Sequence, residues 1–161
     1  RIQLPLLIPC LLHTISPANI QGDSVITIEH LPGGGFTDEK LPKALIIRTL
    51  PNESDKTSKD WANTNPTYLH SDFTDKLVER GVEHLIVDLP SVDKEIDGGT
   101  LLSHRAFFRV PEAPRTEATI TEFVFIPNEV EDGLYALNLQ LAPFDLDASP
   151  SRPVIYPLSV I

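Results

Sequence analysis

The chain has 161 residues, 41% of them hydrophobic, with a formal net charge of −10 and a sequence pI near 4.8. That apolar share supplies one real core, well above what a disordered chain carries. The acidic balance argues against nucleic acid or an anionic membrane surface as the main partner, because both are held by Lys and Arg patches.

The single cysteine, Cys10, precludes an intrachain disulfide and points to a reducing, cytoplasmic compartment. It lies among Leu and Ile, where a buried structural thiol is expected rather than a nucleophile. The longest apolar run, Leu4 to Leu12, is broken by Pro5 and Pro9 and is too short to span a membrane. The chain begins at Arg1 and contains no methionine, so we expect a segment N-terminal to it.

Leu6 to Ile15 reads as a strand ended by Ser16-Pro17. Val25 to Leu31 is short and ambiguous, and Pro32 to Pro42 is turn-rich. Its Gly-Gly-Gly is followed by no Lys-Ser/Thr and is read as a plain loop. "ALIIRTL", Ala44 to Leu50, is a continuous apolar run that suits a strand covered on both faces. A long polar loop follows, Pro51 to Pro66, carrying Trp61 as its anchor or as a pocket wall. Ser71 or Asp72 caps a helix with Phe73, Leu77 and Val78 on one face, stopped by Gly81.

"VEHLIVDLP" is the next buried strand, giving a strand-helix-strand unit with parallel strands. A short helix starts near Thr100. "TITEFVFIP", "LYALNLQLAPF" and "VIYPLSVI" read as the last three strands, with Glu122 near the start of the first. The class is α/β: a β-rich mixed sheet with packed helices in a single domain, residues 1–161.

Ligands in open α/β sheets gather outside the carboxyl ends of the strands. Asp88, Ser91 and Asp93, in "VDLPSVD", stand at such an end. They could orient a ligand or act as acid and base; they could equally make local turns. Ser91 has no G-x-S-x-G elbow, which argues against a serine hydrolase. His104 is the sharpest candidate, because neutral imidazole is the commonest metal ligand, and Glu122 could join it with a carboxylate oxygen. The alternative is a helix histidine and a glutamate on a strand's wet face. His13, His30, His70 and His84 show no pairing at metal spacing.

With these residues in view, "GVEHLIVDLPSVD", "LLSHRAFF" and the segment from Ile120 to Leu158, with its "DASPSRP", resemble the cyclase family of metal-dependent hydrolases. "ALIIRTLPN" and "NTNPTYL" add to the likeness, which runs from about Ala44 onward. The resemblance implies a swivelling β/β/α-type fold and a divalent metal cofactor, zinc or manganese. It implies hydrolysis of an amide-like bond, as in bacterial kynurenine formamidase. By position, His104 and Glu122 match metal ligands, and Asp88, Ser91 and Asp93 match residues that support the site.

The family's His-x-Gly-Thr-His-x-Asp-x-Pro-x-His motif is absent, and Arg105 stands where the family has a second histidine. The resemblance therefore implies the C-terminal two-thirds of a longer enzyme, completed by a small-molecule substrate and by further chain or a homo-oligomer partner. The competing reading is a binding or assembly relative that kept the fold and lost the metal motif.

Overall fold

The computed structural model describes residues 3–33, 39–144 and 146–158. Among the described residues nine strands form, in chain order β1 (Ile8–Ile15), β2 (Ala18–Ile20), β3 (Asp23–Ile26), β4 (Ala44–Thr49), β5 (Tyr68–Leu69), β6 (His84–Val87), β7 (Thr119–Thr121), β8 (Gly133–Leu141) and β9 (Ser151–Pro157). Two α-helices, α1 (Ser71–Glu79) and α2 (Leu102–Phe108), interrupt them. The main sheet has the order β7-β6-β4-β1-β8-β9. Strands β7, β6, β4 and β1 run parallel, and β8 and β9 continue the sheet antiparallel. A small second sheet joins β2, β3 and β5. The fold is a mixed α/β one, as the sequence predicts.

Side-chain alternation explains the two cores. In β4, Leu45 and Ile47 face one side while Ala44 and Ile46 face the other. All six residues of β4 are buried, as a central strand covered on both faces requires. The first core adds Leu85 and Val87 of β6 to Phe73 and Leu77 of α1 and Phe107 of α2. The second joins Ile8, Cys10 and Leu12 of β1 to Leu137 and Leu139 of β8. Burial pushes the Cys10 thiol up to about 12, so it is a packed, un-ionised group.

Several elements differ from the sequence expectation in their limits. Helix α1 is capped not by Ser71 or Asp72 but by His70, whose ring nitrogen accepts from the Asp72 amide at 3.3 Å. It ends before Gly81, whose φ of +89° admits no ordinary side chain without strain. The Pro51–Pro66 loop is not structureless: Ser54–Thr57 make a 3-10 turn. The expected strand through Pro127 stops at Thr121, and two residues on Phe123 takes a left-handed φ of 59° that breaks the extended run. Glu122 therefore lies just past the strand end. Strand β9 begins at Ser151, three residues before Val154, where the sequence reading starts it. Residues 34–38, within the turn-rich stretch, lie outside the described residues.

The carboxyl ends of β4 and β6 are tied by a buried cluster. Asp88 accepts from the Thr49 amide at 2.8 Å and the Thr49 hydroxyl at 3.0 Å. The Lys56 ammonium, from the 3-10 turn, reaches Asp88 at 2.9 Å and the Thr49 carbonyl at 2.6 Å. Asp88 thus holds the strand ends and the following loop in register with each other. Asp88→Ala would leave Lys56 nearly buried without its counter-charge. We expect a loss of about 3–5 kcal/mol in urea unfolding, and a smaller loss for Asp88→Asn, which keeps an acceptor. A change within about 0.5 kcal/mol would mean that this cluster does not hold the strand ends.

Candidate functional site

The chain leaves β6 through Asp88, Leu89 and Pro90 and makes a tight turn in which the Ser91 hydroxyl accepts from the Asp93 amide at 3.1 Å. The Asp93 carboxylate then spans to α2. One oxygen accepts from the Ser103 amide at 2.6 Å. The other takes the His104 ring Nδ1 at 2.6 Å and lies 3.3 Å from the His104 amide. The two amides belong to the helix's first turn, where free N–H groups favour a carboxylate. The Ser103 hydroxyl donates to the Leu69 carbonyl at 2.7 Å and anchors this end of α2 from below.

This bonding fixes the histidine. With Nδ1–H donated to Asp93, the other ring nitrogen, Nε2, carries the lone pair in the neutral imidazole. Nε2 stands 3.6 Å from Glu122 Oε1. Glu122 is itself held, since the same oxygen accepts from the Val92 amide at 2.9 Å. Phe108 stacks on the His104 ring at a centroid distance of 6.3 Å. The structure therefore brings Asp93, His104 and Glu122 together, with Ser91 shaping the turn beneath them. Asp88 bonds elsewhere, to Thr49 and Lys56.

Hydrogen bonding from Asp93 raises the His104 pKa above its ordinary value, against the opposing effect of burial; Glu122 adds to the rise. Burial pushes Asp93 up, but bonds from the His104 ring and from the Ser103 and His104 amides outweigh it and leave its pKa lowered.

The donor chemistry of His104 and Glu122 suits a divalent cation. Zinc ligands lie at about 2.0–2.2 Å, which sets two tetrahedral donors about 3.4 Å apart, close to the separation seen here. A carboxylate on the far ring nitrogen is the usual outer partner of a metal-binding histidine, and Asp93 fills that place. Two donors are fewer than the three protein ligands that a catalytic zinc takes. Among the described residues, no group of three or more His, Cys, Asp or Glu side chains is placed to hold a metal ion.

The other histidines are engaged structurally. His84 bonds Thr119 at 3.0 Å and is lowered in pKa by burial, and His30 holds Thr27 and Ser16. His13 bonds the His30 carbonyl at 3.1 Å.

A cavity of about 380 Å³ opens beside the site. Asp93 and Phe123, neighbours of His104 and Glu122, line one side, and Trp61 of the long loop lines another. Sequence reading placed Trp61 as an anchor or a wall; it is a wall. Phe123 and Leu101 escaped notice because only the left-handed backbone at each turns them into the cavity region.

The sign of the coupling is testable. A raised His104 pKa means that the pair adds stability in full below the ordinary histidine value of about 6.5 and loses it as pH climbs through the folded value. The lowered Asp93 value keeps that stability until the pH falls below the ordinary carboxylate range. In chelator-treated protein, an NMR titration of the imidazoles should place His104 above about 6.5, and Asp93→Asn should bring it down. An Asp93→Asn variant with an unchanged His104 titration would contradict the assigned bond.

No protein-family profile matches the chain. Its sequence is 38% identical to a kynurenine formamidase of Bacillus cereus over 92 residues, 56% of this chain and 40% of that enzyme. The chain thus spans well under half of that curated relative. Two solved structures share the fold. A potential metal-dependent hydrolase with cyclase activity superposes with a TM-score of 0.66 at 16% identity, covering 93% of this chain and 65% of that one. A predicted metal-dependent hydrolase from Bacillus stearothermophilus gives 0.63 at 16% identity, covering 93% and 63%. The chain thus shares the fold of these two hydrolases over nearly its whole length and is similar in sequence to the formamidase over 92 residues.

Proposed function

We propose that the chain forms half of a zinc- or manganese-dependent active site that hydrolyses an amide-like bond, of the aryl-formamide type. The observation that carries this reading is the convergence of His104 Nε2 and Glu122 Oε1 at 3.6 Å, with Asp93 fixing the far side of the ring, beside a partly aromatic cavity. His104 and Glu122 would hold the ion, which, when bound, polarises a carbonyl and acidifies water. The remaining donors come from outside the described residues, on further chain or on a second copy. Function in the cytoplasm as a homo-oligomer goes with this reading.

The chain's own residues have separable tasks. Asp93 keeps the proton on Nδ1 and so keeps Nε2 free as a donor. Glu122 contributes a carboxylate already oriented by the Val92 amide. Trp61 and Phe123 offer apolar surface to an aryl group. The presence of Arg105 where the family has its second histidine favours the other reading, a binding relative without catalysis.

Hydrolysis of formanilide by the protein as its cell makes it, supplied with zinc or manganese, decides between them. We expect turnover that His104→Ala abolishes and that Asp93→Asn lowers by roughly 10–100-fold in kcat/KM. Turnover indifferent to both substitutions, or none on a panel of formyl amides and lactones, would favour the binding relative.

A further inference from the structure

We infer that Glu95 is a positioning residue that sets ligand selectivity, by clamping the Trp61 loop into a wall for a flat, uncharged ring. The inference rests on the site reading above for its biological sense. Its physical content stands on the loop and the cavity.

The loop carrying Trp61 is short of internal support. The Thr64 hydroxyl and amide bond the Trp61 carbonyl at 2.7 and 3.3 Å, and the Ala62 amide bonds Asp60. Its backbone on the far side of Trp61 is gripped by one carboxylate that takes two of its amides. Glu95 Oε1 accepts from the Asn63 amide at 2.5 Å, and Oε2 from the Asn65 amide at 2.9 Å. Both asparagines are left-handed, with φ of 59° and 47°, a conformation that Asn tolerates better than most residues.

A second tie supports the first. Asp23 accepts from the Asn65 side chain at 2.8 Å and from Lys94 at 2.6 Å. Glu95 and Lys94 directly follow Asp93, the partner of His104. The segment that orients the histidine therefore also grips the loop opposite.

The cavity between them has a defined character. Trp61, Ala62, Leu101 and Phe123 give it apolar walls. Its lining carboxylates, Asp93, Glu95 and Asp97, each accept from backbone amides. Lys94 is the cation in the lining, and Asp23 already holds its ammonium. An aromatic ring fits such walls, whereas a carboxylate would meet three like charges in the lining, with Lys94 held by Asp23 and Lys59 seated over the Trp61 ring at 4.4 Å.

Trp61 is the sole tryptophan, so its emission reports on this wall directly. The intact protein is titrated with acetanilide and with 4-acetamidobenzoate, its carboxylated analogue. We expect a saturable change with acetanilide and about tenfold weaker binding of the anion. Glu95→Ala should weaken acetanilide binding about tenfold while circular dichroism and the melting temperature report a retained fold. Glu95→Gln, which keeps one acceptor oxygen, should recover part of that loss. No saturable response in the unmodified protein would overturn the proposal, and so would equal binding of the anion. Unchanged affinity in Glu95→Ala, or in Glu95→Gln should the alanine variant not fold, would overturn it as well. Ring binding without turnover of any formyl amide would leave this assignment standing and remove the hydrolase reading. Turnover with binding indifferent to Glu95 would do the reverse.

Discussion

The site depends on one carboxylate. Asp93 ends the turn after β6, receives two amides from the first turn of α2 and holds the ring of His104. Without it, the His104 ring would lose the partner of its Nδ1 and be free to turn. Burial opposes its charge, yet the bonds it receives keep its pKa low. A charge kept ionised by backbone amides and a ring N–H is a stiff fixture. The free face of the imidazole follows from it, while the approach of Glu122 follows from the Val92 amide that holds its carboxylate.

The sheet provides the platform for this fixture. Asp88, Thr49 and Lys56 tie the ends of β4 and β6. The loops beyond those two strands carry Trp61 on one side and Asp93 on the other. The cavity lies between loops that leave adjacent parallel strands, where α/β sheets usually place ligands. Fold and chemistry are linked here through strand order rather than through any local motif.

The legible part of the sequence was the part governed by local pattern. The apolar runs at Ala44 to Thr49 and His84 to Val87 became adjacent parallel strands. Phe73 and Leu77, one turn apart, became the buried face of α1. Asp93, His104 and Glu122 were visible as residue types, and the family resemblance gave the latter two a role. Their convergence was not visible, because it depends on β7 ending at Thr121 and on the left-handed turn at Phe123. Nothing in "TITEFVFIP" announces that turn. Glu95 and Asp23 were equally silent: their partners lie about thirty and forty residues away, beyond any periodicity. "ANTNP" did carry a hint, since Asn tolerates the positive φ that both its asparagines adopt.

On the proposed reading, His104 and Glu122 form a half-site for a divalent cation, oriented by Asp93. The most direct test is a zinc titration of the protein followed by nitrogen NMR of the imidazole rings. The account predicts that the His104 Nε2 resonance shifts with zinc while Nδ1 stays protonated on Asp93, and that Glu122→Gln weakens the response. Zinc binding that leaves the His104 resonances unmoved, or that is indifferent to Glu122→Gln, would contradict it.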